Sequence, residues 1–413
     1  MRILYLHQYF NLPSDPGITR SYELARRLVA KGHKVVMVTS DHRGRFRHRG
    51  WKVTHAAGIE IHWLYVPYSN YLSYPARIRA FMRFALRAAL HAIRIPADVV
   101  FATSTPLTIA IPGVLAAKWQ RIPMVFEVRD LWPELPIAMG ALKGPLIPMA
   151  QVLAQWAYRN AARVVALSPD MAKGIEKRGY PSEKITVIPN ASDLDLFANA
   201  HERGRKFRAS FPWLGDLPLV VYTGTLGRIN GVDYLVRVAA AMREMAPDVR
   251  FLVVGEGAED EKVRRLAASL EVLNRTFYMM PPIPKRDMPA VLGAATVATS
   301  LFIDLPDMWA NSANKFFDAL AAGTPVAINY QGWQADLLRR TGAGIVLDVH
   351  DPAGSAAKLL AFLRDEKRLQ AARHAARRLA ETEFNRDRLA MKLERVLCEA
   401  VLEFAPKRAT KCT

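Results

Sequence analysis

The sequence predicts two α/β domains in tandem, each a parallel sheet with helices on both faces. Three observations lead there. The chain has 413 residues, too many for one core of roughly 100–200 residues. Of these, 51% are hydrophobic, enough to fill two cores. Short apolar runs alternate with helical stretches along the whole chain, the pattern of strands joined by crossover helices.

In the first half, Met1–His7 reads as a strand, Thr19–Lys31 as a helix and Lys34–Thr39 as a strand. Further strands are predicted at Ile59–Tyr65, Asp98–Ala102, Met124–Val128, Arg163–Ala166 and Ile185–Ile188. The Pro-Asn-Ala-Ser turn at 189–192 opens a stretch of mixed charge that runs to Pro218 and reads as an interdomain connection. The pattern then restarts with strands at Leu219–Thr223, Arg250–Val254, Thr276–Met279, Val297–Ser300, Pro325–Ile328 and Gly344–Val346. Asp365–Phe404 is almost purely helical in pattern. Doubly wound sheets of this kind bind ligands in the loops that follow their strands, and two in tandem predict a cleft between them.

Several classes are excluded by composition. No segment reaches the roughly 18 uninterrupted apolar residues of a membrane span. The start, MRILYLHQYF, lacks the apolar block and cleavage site of a signal peptide, so a cytoplasmic location is expected. Cys398 and Cys412 have no spacing for a metal site or a disulfide framework. The formal charge of +19 implies attraction to an extended anion.

Three loops of the second half carry candidate chemistry. Tyr222-Thr-Gly-Thr-Leu-Gly-Arg228-Ile-Asn-Gly231 runs from a strand into a helix; its glycines, Gly224 first, admit a ligand close to the backbone, and Arg228 adds a charged fork. Such turns also arise for geometry alone. Val254-Gly255-Glu256-Gly257 reads first as a tight turn, with Gly255 a donor-side candidate. In Ala310 to Val326, Ser312 or Asn311 is expected to cap a helix that Gly323 ends. A diphosphate at that helix start would meet free amides, Asn314 and Lys315, and Asp318 lies one turn on, within reach of ribose hydroxyls. An ordinary capped helix with a solvent-facing Asp is the plain alternative.

Together these residues resemble the retaining glycosyltransferases of family 4, and within them the bacterial subgroup that builds surface polysaccharides such as colanic acid and O-antigen. The resemblance rests on Gly17 with Tyr22-Glu-Leu-Ala-Arg and Lys31-Gly-His33, Phe126-Glu-Val-Arg-Asp-Leu-Trp-Pro-Glu134, Val187-Ile-Pro-Asn190, Tyr222-Thr-Gly with Gly227-Arg228, and Asn314-Lys through Gly323-Thr-Pro-Val. It implies the GT-B architecture, two Rossmann-like domains facing a cleft. The expected boundaries are an acceptor domain over 1–195, a donor domain over 196–380, and a helix with its tail over 381–413 crossing back to the first domain.

The resemblance also assigns roles. It places Gly17 in the acceptor-side loop facing the diphosphate, Arg228 on the donor phosphates and Asp318 on the ribose. The family's first carboxylate falls on Ala310, its usual Lys on Asn230 and its usual His on Arg129; Lys315 is the candidate to supply the missing phosphate charge. Retention implies that the leaving diphosphate takes the acceptor proton on the same face of the sugar, with no metal and no cofactor. The nucleotide-sugar implied is a uridine one, with guanosine second.

Asp130 and Glu134, just past the Met124–Val128 strand and beside Arg129, are the catalytic-side candidates. They suit orienting a sugar or acceptor hydroxyl, or equally a structural ion pair. Trp132 reads as core filling, with stacking on a sugar ring as the alternative.

Residues 77–94 sort onto a helix with Arg79, Arg83, Arg87, His91 and Arg94 on one face and Ile78, Phe81, Met82, Ala85, Leu86 and Ile93 on the other. With Arg43, Arg45, Arg47, Arg49 and Lys52 upstream, this reads as an anionic-membrane element presenting a polyprenyl-diphosphate-linked acceptor, or as a solvated helix. Peripheral attachment to the inner face of the cytoplasmic membrane is expected. The rivals are a GT-B nucleotide-sugar epimerase and, remotely, a nucleic-acid-binding protein, which would need a binding module absent here.

Overall fold

The computed structural model describes residues 1–15, 17–47, 50–69, 72–191 and 193–405; Arg49, Ser192 and Cys412 lie outside them. The chain divides into two compact units, Met1–Pro189 with the segment from Asp387 onward, and Asn190–Arg386. The first break thus falls before 195 and the second after 380.

The first unit holds strands β1 (Arg2–Leu6), β2 (Lys34–Asp41), β3 (Trp51–Ala56), β4 (Ile59–Tyr65), β5 (Val99–Thr103), β6 (Met124–Val128), β7 (Arg163–Ala166) and β8 (Ile185–Val187) in one sheet. Their order is β3-β4-β2-β1-β5-β6-β7-β8. Every pairing is parallel except β3 with β4, a hairpin turned at Ala57 and Gly58, both at positive φ. The uniform parallel sheet expected from the alternation is therefore corrected at this edge. Exposed Lys52 and half-buried Thr54 give β3 no continuous apolar run, and the turn does not read as Asn-Gly. Central strands are the opposite case: β5 and β6 are buried at every position, as a sheet covered on both faces requires.

The second unit holds β9 (Leu219–Thr223), β10 (Arg250–Val254), β11 (Phe277–Met280), β12 (Val297–Ser300), β13 (Val326–Ile328) and β14 (Gly344–Val346), all parallel, ordered β11-β10-β9-β12-β13-β14. Its core runs from Tyr222, Phe251 and Phe277 on the sheet to Leu235 and Leu359 on covering helices.

The helical stretch near the end is broken. Glu366–Thr382 belongs to the second unit, and the Arg386–Phe404 helix belongs to the first from Asp387 onward. The last helix is held there by charge: His33 Nε2 and Glu394 Oε1 are 2.9 Å apart, Lys31 also pairs with Glu394, and Arg163 with Glu399 at 3.0 Å.

The Tyr74–Ala92 helix also corrects the expected faces. Its buried stripe is Ala80, Phe84, Ala85, Ala88, Ala89 and Ala92, because small side chains let it lie close on the Ala110–Gln120 helix. Leu86, expected opposite the arginines, is exposed among Arg79, Arg83, Arg87 and Arg94, as is Leu90. Among the described residues no helix is long and apolar enough to cross a membrane.

Candidate active site

Both sheets reverse strand order beside their first strand, and the loops leaving those points carry the predicted residues. In the second unit the loop after β9 turns at Gly224, with φ +133°, a conformation that side chains resist. Its amide donates to the Val254 carbonyl at 3.0 Å, and Leu226 N to the Glu256 carbonyl at 2.9 Å. The Val254–Gly257 loop thereby holds the first loop in place. A Cβ on Gly255 would stand 1.8 Å from the Gly224 oxygen, so Gly255 serves close backbone packing.

Lys315, on the first turn of the Asn314–Ala321 helix, reaches that loop. Its Nζ donates to Tyr222 Oη at 2.8 Å and lies 4.2 Å from the ring centre, while Tyr222 Oη donates to the Thr225 carbonyl at 2.8 Å. A Cβ on Gly224 would be 3.5 Å from Nζ. Among the described residues the lysine faces two aromatic rings and pairs with no carboxylate, and burial pushes its ammonium down to about 7. Arg228 stands exposed on the same loop, in a short 3-10 turn closed by Gly231 at positive φ. Asn230, where the family has Lys, is buried.

Three donor-side expectations change. The helix cap is Ala313, not Ser312 or Asn311. Ser312 Oγ instead accepts from Asn190 N at 3.0 Å, and Asn311 Oδ1 from Ala313 N at 3.2 Å. Asn311 is thus spent on its own loop's backbone and Ser312 on the backbone of a segment 122 residues away. Asp318 is neither solvent-facing nor unpaired: it is buried and bonded to Lys285, whose ammonium lies 5.6 Å from the Phe197 ring. Lys285 sits 33 residues away in a turn before Met288. No local pattern marks it.

In the first unit, Gly17 lies in the loop after β1 at φ +119°, and a Cβ there would meet Asn11 Nδ2 at 3.0 Å. Arg129 and Asp130 leave the end of β6. Arg129 N donates to Ser104 Oγ at 3.1 Å, and its guanidinium to His7 Nε2 at 3.1 Å. That bond leaves the His7 proton on Nδ1, which has no partner among the described residues. Burial, then Arg129, hold His7 well below its ordinary value, so it is neutral. The sequence reading missed His7, although a histidine ending the first strand was a usable signal.

Beneath lies a buried ion pair, Arg20 NH2 to Glu127 Oε1 at 2.8 Å. Burial opposes charge on Glu127, but Arg20 and Arg129 outweigh it and bring the carboxyl below its usual range. Asp130 moves the other way: burial raises its carboxyl against Arg129 and a 3.2 Å bond from Thr105 Oγ1. Glu134 does not join this group. It accepts from Arg178 Nε at 2.7 Å, which makes it the structural pair left open above.

Residues 17–191 match the "Glycosyl transferase 4-like domain" family and residues 205–379 the "Glycosyl transferases group 1" family. The chain belongs to the group 1, family 4 glycosyltransferases. Among its relatives is a D-inositol 3-phosphate glycosyltransferase of Thermobispora bispora, 27% identical over 283 residues, 64% of each chain. Another is a GDP-mannose-dependent alpha-(1-6)-phosphatidylinositol monomannoside mannosyltransferase of Mycolicibacterium smegmatis, 25% identical over 290 residues, 68% of this chain and 71% of the relative. The match thus spans just under two thirds of the first of these relatives. The crystal structure of Anabaena HepE in complex with UDP and glucose superposes with a TM-score of 0.70 at 16% identity, covering 96% of this chain and 99% of that one. A Thermosynechococcus elongatus sucrose-phosphate synthase gives 0.72 at 16% identity, covering 96% and 98%. At these identities the two structures show the fold, GT-B, two Rossmann-like domains.

Proposed function

We propose that this group 1 glycosyltransferase transfers a sugar, with retention, from a nucleotide-sugar to a lipid-linked saccharide or glycan at a membrane surface. The observation that carries the reading is Lys315 standing against the Gly224 loop with no carboxylate partner among the described residues, together with the exposed Arg228 of that loop. A diphosphate there meets an ammonium in a nonpolar setting, where its charge counts for more than in water. As the bond between the anomeric carbon and the diphosphate oxygen breaks, the acceptor oxygen bonds to that carbon on the same face. The acceptor proton passes to the departing diphosphate. Lys315 and Arg228 meet the negative charge that develops, and no metal is assigned a part.

Lys285 holds the Asp318 carboxylate in place, which suits ribose hydroxyls. In the first unit His7, Arg129 and Asp130 are assigned to the acceptor or the sugar, Nδ1–H of His7 being the free donor. HepE was crystallised with UDP and glucose, which supports a uridine nucleotide. The surface-polysaccharide role is kept from the motifs; the relatives' names instead speak of phosphorylated inositol acceptors.

The membrane part rests on three helices packed side by side in the first unit. Tyr74–Ala92 exposes Leu86 and Leu90, Ala110–Gln120 exposes Leu115 and Trp119, and Leu146–Asn160 exposes Met149 and Val152. Trp119 is 72% and Val152 70% exposed. Leu86 and Leu90 among Arg79, Arg83, Arg87 and Arg94, with four more exposed apolar side chains on the two neighbouring helices, fit an anionic lipid surface. Incubation with a panel of UDP- and GDP-sugars and a polyprenyl-diphosphate saccharide in chelator should yield an elongated, α-configured product from an α-donor. Epimerised donor without transfer would overturn the reading.

A further inference from the structure

A second set of cations gathers far from the Gly224 loop. A cavity of about 810 Å3 opens in the second unit between the helices Ala200–Ala209 and Glu366–Thr382. Its floor includes Pro218 and Thr296, which precede β9 and β12, and Ala322 and Gly323, which follow the Asn314–Ala321 helix. It therefore lies at the amino ends of the strands whose carboxyl ends lead to Gly224 and Lys315.

Its walls carry Arg205, Arg208, Arg373 and Arg377 with His201 and His374, against two acids, Asp216 and Glu366. Some of these are already engaged. Arg208 donates to the carbonyls of Ala294, Gly215 and Leu217 at 2.8 to 2.9 Å, Arg377 to Ala321 O at 2.9 Å and Glu381 at 2.6 Å, and Glu366 accepts from Gln370 at 2.8 Å. Arg205 and Arg373 make no hydrogen bond or ion pair among the described residues.

The groups converge. Burial first, then Arg373, Arg205 and Arg377, hold the His201 imidazole below its ordinary value, so three guanidinium groups act on one ring. Burial lowers Arg208 as well, with Arg373 adding to the effect and Asp216 opposing it. The walls are fixed by backbone packing: a Cβ on Gly204 would stand 2.2 Å from Gly293 C, and one on Gly293 1.8 Å from the Ala200 oxygen. Four arginines against two acids leave an excess of like charge held together by a rigid frame, and a multiply charged anion relieves that repulsion. Guanidinium forks suit phosphate oxygens.

We propose that this cavity is a second anion site, taking the phosphate groups of a small phosphorylated molecule at a place separate from the donor loops. It does not depend on the identity of the donor or acceptor.

The probe is inorganic tripolyphosphate, titrated calorimetrically into the full chain near neutral pH and moderate salt. Two classes of site are expected in the wild-type chain. Arg205→Gln with Arg373→Gln should weaken one class at least about tenfold and leave the other, while Lys315→Met should do the reverse. The single variant Arg205→Gln, at an exposed side chain without partners, gives the same readout with less risk to folding and should weaken that class severalfold. Vesicles containing phosphatidic acid form a second arm: loss of vesicle binding in the arginine variants with tripolyphosphate binding intact would assign the cluster to lipid instead. Tripolyphosphate binding unchanged in both arginine variants overturns the proposal.

Discussion

Lys315 Nζ donates a 2.8 Å hydrogen bond to Tyr222 Oη and lies 4.2 Å from the centre of that ring. An ammonium so placed has given up water for one neutral hydroxyl and a ring face. A phosphate oxygen would restore a charged partner. Lys315→Met should therefore weaken nucleotide-sugar binding by about tenfold to a hundredfold, the span of a hydrogen bond to a charged group. The melting temperature should hold or rise, since the substitution removes a poorly solvated charge. Calorimetric binding beside a thermal melt separates the two effects; full donor affinity in Lys315→Met would reject the assignment.

The same lysine gives donor binding a pH dependence. Its ammonium is lowered to about 7, so the charged form dominates below that value and is lost above it. Only the charged form attracts the diphosphate. Donor affinity should accordingly fall as pH rises from about 6 to about 8.5, and Lys315→Met should flatten that slope. Affinity measured across this window in one buffer series decides it. A wild-type profile identical to that of the variant would remove Lys315 from the phosphate site.

Asp130 and Glu134 look alike in sequence and differ in the structure. Asp130 has its carboxyl raised by burial and touches Thr105, whereas Glu134 is partly exposed and paired with Arg178. Asp130→Asn should lower kcat by about tenfold or more with little change in the melt. Glu134→Gln should leave kcat near wild type and cost about 0–1 kcal/mol of stability, as a partly exposed pair does. Equal kinetic losses in the two variants would contradict this division.

Strand positions were legible where short apolar-rich runs lie between turns: Ile59–Tyr65, Met124–Val128 and Arg250–Val254 stand as read, although Glu60, His62 and Glu127 interrupt the first two. β3 was not legible, since its side chains alternate in the open and its partner is set by a hairpin. The site shows the same contrast. Gly224 and Lys315 carry local signals, a glycine turn and a helix start. Lys285 beside Asp318, and His7 beneath Arg129, arise from pairings 33 and 122 residues apart that only the sheet order creates. Ser312 misled for a related reason: its hydroxyl looks like a helix cap, but its oxygen accepts from Asn190 N at 3.0 Å.

Arg20 and Glu127 are both buried, at 3% and 0% side-chain exposure, and 2.8 Å apart. Arg20 also donates to the carbonyls of Pro189 and Ile188 at 2.6 and 2.9 Å, tying the first helix to the end of the first unit. Removing the carboxylate leaves a buried guanidinium without its counter-ion. Glu127→Ala should cost about 3–5 kcal/mol in urea denaturation. Because Glu127 has its carboxyl below the unfolded value, its contribution is present at neutral pH and fades as pH falls through the acid range; the wild-type chain should lose this advantage there and the variant should not.

The exposed apolar residues of three neighbouring helices make the membrane reading separable from simple charge attraction. Replacing Arg79, Arg83 and Arg87 with Ser should weaken binding to anionic vesicles by about 1 kcal/mol for each arginine near the surface, and added salt should reproduce that loss. Trp119→Ser with Val152→Ser should weaken the remaining, salt-resistant part, because about 25 cal/mol is lost for each Å2 of apolar surface no longer buried in lipid. Flotation with vesicles at low and high salt reads both parts. If the apolar double variant floats like the wild-type chain at high salt, the three-helix surface does not enter the bilayer, and the arginines alone hold the protein to it.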